Sequence, residues 1–144
     1  MIKETQKASY ANMLINLSEY YEGNEMRHLR AKVAGHILQA KYEDADDILN
    51  FFSMVGIVVQ KDSIDKEMVW GMFFPDLHPY YLALKTYISE ERKEDPTVYQ
   101  SVIDLDQTLS KYEPQKHLAS WGQPRITDFL ESEKKFLEKN VSNR

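Results

Sequence analysis

The chain has 144 residues, of which 42% are hydrophobic and 28% are charged, a composition typical of one globular domain with its own core. It has no cysteine, which excludes disulfides, thiolate nucleophiles and cysteine-ligated metal sites. The formal net charge of −5 leaves no basic excess to neutralise phosphates, so we expect no nucleic-acid partner.

The most apolar stretch of the chain is residues 51–74, which begins with FFSMVGIVV. Polar residues 60–63 interrupt this run after Val59. The run is therefore about half of the ~20 apolar residues that a membrane-spanning helix requires. The first residues, MIKETQKASYANMLINL, are too polar for a signal peptide. We expect a cytoplasmic protein without a membrane partner.

Apolar residues recur at helical spacing along nearly the whole chain. The third predicted helix, at about 45–60, is apolar over more than half its circumference, which is typical of a helix at the centre of its domain. Gly56 lies on this apolar arc and would let a neighbouring helix approach closely. Asp65 is the predicted N-cap of the next helix, where Ile64 and Val69 would form a hydrophobic staple.

Pro75 and Pro79 predict that the fourth helix ends in this segment and that a new helix begins at Pro79. Farther along, residues 113–125 have no helical pattern, and a last amphipathic helix is expected at about 124–140. No segment shows the alternation typical of a strand. We predict an all-α fold in which residues 1–144 form one compact bundle of six to seven helices with short connections.

Motifs for common chemistries are missing from the sequence. Its five glycines are far apart, so no phosphate-binding loop or dinucleotide fingerprint can be built from them. There is no HExxH or EF-hand pattern, and no pair of histidines has i, i+4 spacing. We predict no catalytic residue, no metal site and no cofactor, and we favour a non-catalytic protein.

Arg30 falls within the apolar arc of the second predicted helix. A buried, unpaired guanidinium costs several kcal/mol, so we expect Arg30 to be paired with the acids of residues 43–47 or with Glu67. Such a pair would fix how two helices cross. The alternative is an anion-binding cleft lined by Arg30, His36, Asp44 and Asp47.

Aromatic residues near helix starts and in the irregular segment form a second candidate site. Trp, Tyr and Arg are enriched among the residues that dominate protein–protein binding energies. Residues at helix starts and in loops are more often exposed than residues in helix interiors. The predicted partner-binding surface consists of Tyr80, Tyr81, Trp121 and Arg125.

The central part of the chain contains NEMRHLRAKV, DDILNFFSMVGIVV, SIDKEMVW and YYLALKTYI in that order. In these segments the chain resembles an uncharacterised bacterial all-helical family, a domain of unknown function, over roughly residues 24–110. The turn of that family often has a glycine where this chain has QKDS. The resemblance implies a helical core and a bacterial or phage source, and it assigns no catalytic residue.

Together these features predict a small soluble helical module that binds another protein. The alternative is a sensor for a small ligand or anion, or an uncharacterised enzyme, with a cleft centred on Arg30. A homodimer is a third hypothesis, and it would leave an apolar face uncovered on the monomer.

Overall fold

The computed structural model describes residues 2–61 and 63–142. Over these ranges the chain forms seven α-helices and no strand, which confirms the predicted all-α bundle. The helices are α1 (Ile2–Glu22), α2 (Asn24–Leu38), α3 (Ala45–Val59), α4 (Lys66–Glu91), α5 (Gln100–Ser110), α6 (Gln115–Ala119) and α7 (Gln123–Ser142).

Helix α3 lies at the centre of the bundle and contacts α1, α4 and α5. Its two phenylalanines, Phe51 and Phe52, are at most 2% exposed and pack against the ring of Tyr21 from the end of α1. The buried residues of α3 are Ala45, Ile48, Leu49, Phe51, Phe52, Val55, Gly56, Val58 and Val59. The wide apolar arc seen in the sequence therefore forms a large part of the core.

Gly56 marks the closest approach between α3 and α5. A Cβ atom at this position would lie 2.7 Å from the backbone oxygen of Ser101, which is closer than real Cβ atoms come to other atoms. The backbone of α5 could not pack here against any other residue without moving. The expectation that Gly56 permits a close helix contact is confirmed.

Helix α4 begins as predicted. The side-chain oxygen Oδ1 of Asp65 accepts hydrogen bonds from the backbone N–H groups of Glu67, at 3.1 Å, and Met68, at 3.2 Å. These bonds satisfy donors that have no partner within the first turn of a helix. Ile64 and Val69 flank the cap and are both buried.

The predicted helix end at the two prolines is wrong, because α4 continues through both Pro75 and Pro79. Each proline removes the hydrogen bond to the carbonyl four residues earlier, at Gly71 and Pro75. Both of those residues are exposed, so water can hydrate their carbonyls. Buried side chains on both sides of the prolines pack into the same core, which offsets the lost bonds: Phe73, Phe74, Leu77, Tyr80 and Leu84.

The C-terminal part of the chain folds back along α2. The segment 113–125 contains the short helix α6, and α7 spans Gln123–Ser142, close to the predicted 124–140. The contact between α2 and α7 is the most extensive contact between two helices in the described structure. Ile126 and Leu130 are its buried apolar residues among those whose side chains are described.

No helix in the part of the chain that the structure describes combines the length and the apolar character that crossing a membrane requires.

Replacing Gly56 by alanine should destabilise the protein by about 1–3 kcal/mol, because the added methyl group overlaps the α5 backbone. Gly71→Ala is the matched control. A Cβ atom there has no neighbour within 4 Å, so this change should stabilise the helix by about 1 kcal/mol. Urea denaturation of the two variants measures both effects, and equal stabilities would contradict the packing described for α5.

Candidate functional site

The side of the bundle formed by α1 and α3 carries an apolar surface that no other helix covers. Ile57 is 55% exposed, Tyr20 49%, Met54 47% and Met13 44%. These are four of the seven large apolar side chains that are exposed among the described residues. We call this surface the α1–α3 face and define it by Met13, Leu17, Tyr20, Met54 and Ile57.

The α1–α3 face contains two adjoining recesses, each with a volume of about 390 Å³. Met54 borders both of them. The first recess is lined by Tyr20, Glu25, Met26, Leu29, Asp47, Asn50, Phe51 and Met54. The second is lined by Met13, Asn16, Leu17, Met54, Ile57 and Val58. Apolar side chains therefore alternate with hollows that apolar groups of another molecule could fill.

Charged residues lie at both ends of the α1–α3 face. Glu25, from the start of α2, and Asp47, from the start of α3, border the same recess at one end. Lys61 is exposed in the turn that follows α3, at the opposite end. A partner that fits this face would therefore need a basic group near Asp47 and an acidic group near Lys61.

A buried polar cluster around Arg30 lies elsewhere, where α1, α2, α4 and α7 meet. Arg30 is 4% exposed, and its Nη1 donates a hydrogen bond of 3.0 Å to the backbone oxygen of Tyr21. The guanidinium also stacks on the Tyr21 ring, with its central carbon 3.8 Å from the ring centre. Two carboxylates surround it, Glu133 from α7 and Asp76 from α4.

The ion pair between Arg30 and Glu133 joins α2 to α7. Arg30 Nη2 lies 3.5 Å from Glu133 Oε2, and Nε lies 3.1 Å from Oε1. Nε is buried and makes no hydrogen bond with any described residue, so its contact with Oε1 is electrostatic rather than directional. Asp76 Oδ2 is 3.9 Å from Nη1 and accepts a hydrogen bond of 2.6 Å from the Tyr21 hydroxyl.

Tyr80 completes the cluster by donating a hydrogen bond of 2.8 Å to Glu133 Oε1. Burial raises the pKa of the Tyr80 hydroxyl well above its usual value, and the charge of Glu133 raises it further. Burial, together with the charges of Asp76 and Glu22, raises the pKa of the Glu133 carboxyl by more than Arg30 and the Tyr80 hydrogen bond lower it. Burial lowers the pKa of Arg30, but Tyr21, Glu133 and the other neighbours raise it by more, so Arg30 stays charged.

The carboxylates expected to pair with Arg30 were the wrong ones. The acids of residues 43–47 and Glu67 were predicted, whereas the structure places Glu133 and Asp76 beside the guanidinium. The reason is the docking of α7 along α2, which brings together residues more than 100 positions apart in sequence. Helical spacing within α2 carries no signal for such a contact.

The four residues of the predicted anion-binding cleft do not come together. His36 lies near the end of α2, where its Nδ1 is 3.2 Å from the backbone oxygen of Glu43. Asp44 pairs with Lys32 at 3.8 Å, and Asp47 borders the first recess of the α1–α3 face. Arg30 borders a different recess, of about 230 Å³, which is lined by Arg27, Arg30, Ser132, Glu133, Lys135 and Phe136.

The predicted aromatic surface is also divided by the fold. Tyr80 is fully buried, so the expectation that it is exposed is wrong. Adjacent helical residues point about 100° apart, and Tyr80 points to Arg30 while Tyr81 stays partly exposed. Arg125 is exposed, and its guanidinium stacks on the ring of the partly buried Trp121. The central carbon of the guanidinium lies 3.8 Å from the ring centre. Arg125 also donates a hydrogen bond to Ser120 Oγ.

A buried histidine and aspartate lie behind Trp121. His78 Nδ1 is 2.8 Å from Asp106 Oδ1, and both residues are at most 8% exposed. The Trp121 ring stands edge-on to the imidazole, with ring centres 6.1 Å apart. The pair joins α4 to α5. Among the described residues, no group of three or more His, Asp or Glu could hold a metal ion.

Sequence reasoning missed the α1–α3 face. The sequence contains a signal for this face. Met13, Leu17 and Tyr20 are separated by four and three positions, and Met54 and Ile57 are separated by three, so each set lies on one side of its helix. The sequence alone predicts that the whole apolar arc of α3 lies in the core. Which part of that arc stays uncovered depends on where α1, α4 and α5 pack, and this is visible only in the folded chain.

The raised pKa of Glu133 predicts a specific dependence of stability on pH. Because the folded state binds this proton more tightly than the unfolded chain, the carboxyl adds stability below its unfolded pKa and loses it as the pH rises through its folded pKa. The free energy of unfolding of the native chain minus that of Glu133→Gln should therefore decrease as the pH rises above 4.5, the usual pKa of a glutamate.

Urea denaturation across this pH range measures the difference. Glu131→Gln, an exposed change on the same helix, is the control and should produce no comparable trend. A difference that increases with pH for Glu133→Gln would show that the Arg30 charge, rather than burial, dominates at this carboxyl.

Comparison with known proteins identifies the family of this fold. Residues 1–105 match the family model described as a domain of unknown function, DUF4760. No curated protein and no solved structure matches the chain. The matched region includes the α1–α3 face and Arg30 but ends before Glu133. Since the match covers most of the chain, the resemblance to a helical domain of unknown function is confirmed, and the chain belongs to the DUF4760 family.

Proposed function

We propose that this protein is a helical protein-binding module and that its contact surface is the α1–α3 face. The observation that carries the proposal is the concentration of four half-exposed large apolar side chains on this one face. Contiguous apolar patches of this kind mark interaction sites in soluble proteins, whereas apolar side chains scattered singly over a surface do not.

The energetics of the face are consistent with binding. Burying the exposed half of a large apolar side chain contributes on the order of 1 kcal/mol. Four such side chains, together with the two recesses around Met54, could supply the apolar centre of an interface. The charged residues Glu25, Asp47 and Lys61 lie at its ends, as expected for a polar rim.

The anion-binding alternative has less support. It requires an Arg30 side chain that is free of protein carboxylates, but Glu133 and Asp76 both lie within 4.0 Å of its guanidinium. A ligand anion would have to displace Glu133 and leave that carboxylate partly buried without its cation, at a cost of several kcal/mol.

The surface around Trp121 remains a second candidate for partner contact. Tyr81 and Trp121 are partly exposed and Arg125 is exposed, but the guanidinium and ring are already stacked on each other. This surface carries fewer exposed apolar side chains than the α1–α3 face, so it supports the proposal less strongly.

Replacing Ile57 by glutamate should abolish partner capture, because a carboxylate would be placed in the centre of the apolar contact. The change should leave the free energy of unfolding within about 1 kcal/mol of the native value, because the side chain is half exposed. Tagged native and variant proteins would be incubated with a bacterial lysate, and the bound proteins would be quantified by mass spectrometry.

Met68→Glu is the matched control, since Met68 is an exposed side chain on α4 outside the face. Proteins captured by the native chain and by Met68→Glu, but lost with Ile57→Glu, would support the proposal. Captured proteins that are instead lost when Trp121→Ala is combined with Arg125→Glu would move the contact surface to the second candidate.

A further inference from the structure

The exposed side of α3 carries a stripe of residues separated alternately by three and four positions. The four of them that belong to α3 fall within an arc of roughly 80°. Met54 is at the centre of the stripe, seven residues from its acidic end and seven from its basic end. The residues are Asp47, Asn50, Met54, Ile57 and, in the turn just after the helix, Lys61.

We propose that a second copy of the same chain covers the α1–α3 face. This inference rests on the proposed function and names its partner. The two α3 helices lie antiparallel about a two-fold axis that passes at Met54. The symmetry then places Asp47 of each copy opposite Lys61 of the other, because both residues are seven positions from the axis.

Charge complementarity is the first argument for a second copy. The face carries the carboxylates of Glu25 and Asp47 at one end and the ammonium group of Lys61 at the other. A parallel arrangement of two copies would set like charges against each other, whereas the antiparallel one pairs opposite charges at both ends. The face is thus complementary to itself in one orientation, as an isologous interface requires.

The shape of the face gives the second argument. Ile57, three residues after Met54, is the most exposed of its apolar side chains. In the antiparallel arrangement it meets the region three residues before Met54 in the other copy. That region is the first recess, lined there by Tyr20, Asn50 and Phe51. Ile57 of each copy would therefore enter the first recess of the other copy. Packed helices interdigitate in the same way.

Charge reversal at the two ends tests both the partner and the orientation. Asp47→Lys and Lys61→Asp should each weaken dimerisation about tenfold or more, because two attractive contacts per dimer become repulsive. An equimolar mixture of the two variants should recover the dimer, since every Lys then faces an Asp. Sedimentation velocity over a concentration series at low salt measures all of these states.

Glu131→Lys changes the net charge by the same amount as Asp47→Lys but lies on α7, away from the face, so it should dimerise like the native chain. Ile57→Glu should be monomeric. A native chain that stays monomeric at every concentration overturns the inference, as does a dimer unaffected by Ile57→Glu. A mixture of the charge variants that fails to recover dimer overturns the antiparallel arrangement.

The two proposals can fail separately. A monomeric native chain that still captures lysate proteins through Ile57 would leave the protein-binding function in place with a different partner. A monomeric chain whose capture does not depend on Ile57 would contradict both.

Discussion

The apolar circumference of α3 is the constraint on which the rest of this structure depends. A helix with so wide an apolar arc must be covered on nearly all sides, and three neighbours, α1, α4 and α5, provide that cover. Gly56 lets α5 approach closely on one side, while Tyr21 closes the side next to α1. The stripe through Met54 and Ile57 remains outside this cover. The fold thus completes its core and still presents part of its central helix to solvent.

The Arg30 cluster explains how the C-terminal helix is attached. Helix α7 lies outside the region that matches the family, and Glu133 joins it to α2 through the pair with Arg30. Burying this pair costs desolvation energy, which the Tyr80 hydroxyl and the Tyr21 carbonyl partly offset through hydrogen bonds. The cluster therefore specifies which face of α7 docks on α2, which is a structural role.

Local features of the fold could be predicted from the sequence, but contacts between distant segments could not. The Asp65 cap depends on residues next to it in the sequence, and the position of Gly56 can be read from the apolar arc of one helix. The sequence signals for both features are therefore local. The passage of α4 through Pro75 depends on solvent reaching the freed carbonyls, and the burial of Tyr80 depends on α7. The resemblance supplied the family and its helical fold, but nothing about the α1–α3 face.

A single introduced cysteine tests the central claim most directly, because the chain has no cysteine of its own. In the proposed dimer the two copies of residue 54 meet at the axis, within reach of a disulfide, whose Cα atoms are usually about 4.4–6.8 Å apart. On mild oxidation Met54→Cys should form a covalent dimer, whereas Met68→Cys, which is also exposed on α4 but lies away from the axis, should stay monomeric. A Met54→Cys protein that remains monomeric, or that cross-links no faster than Met68→Cys, would contradict the account.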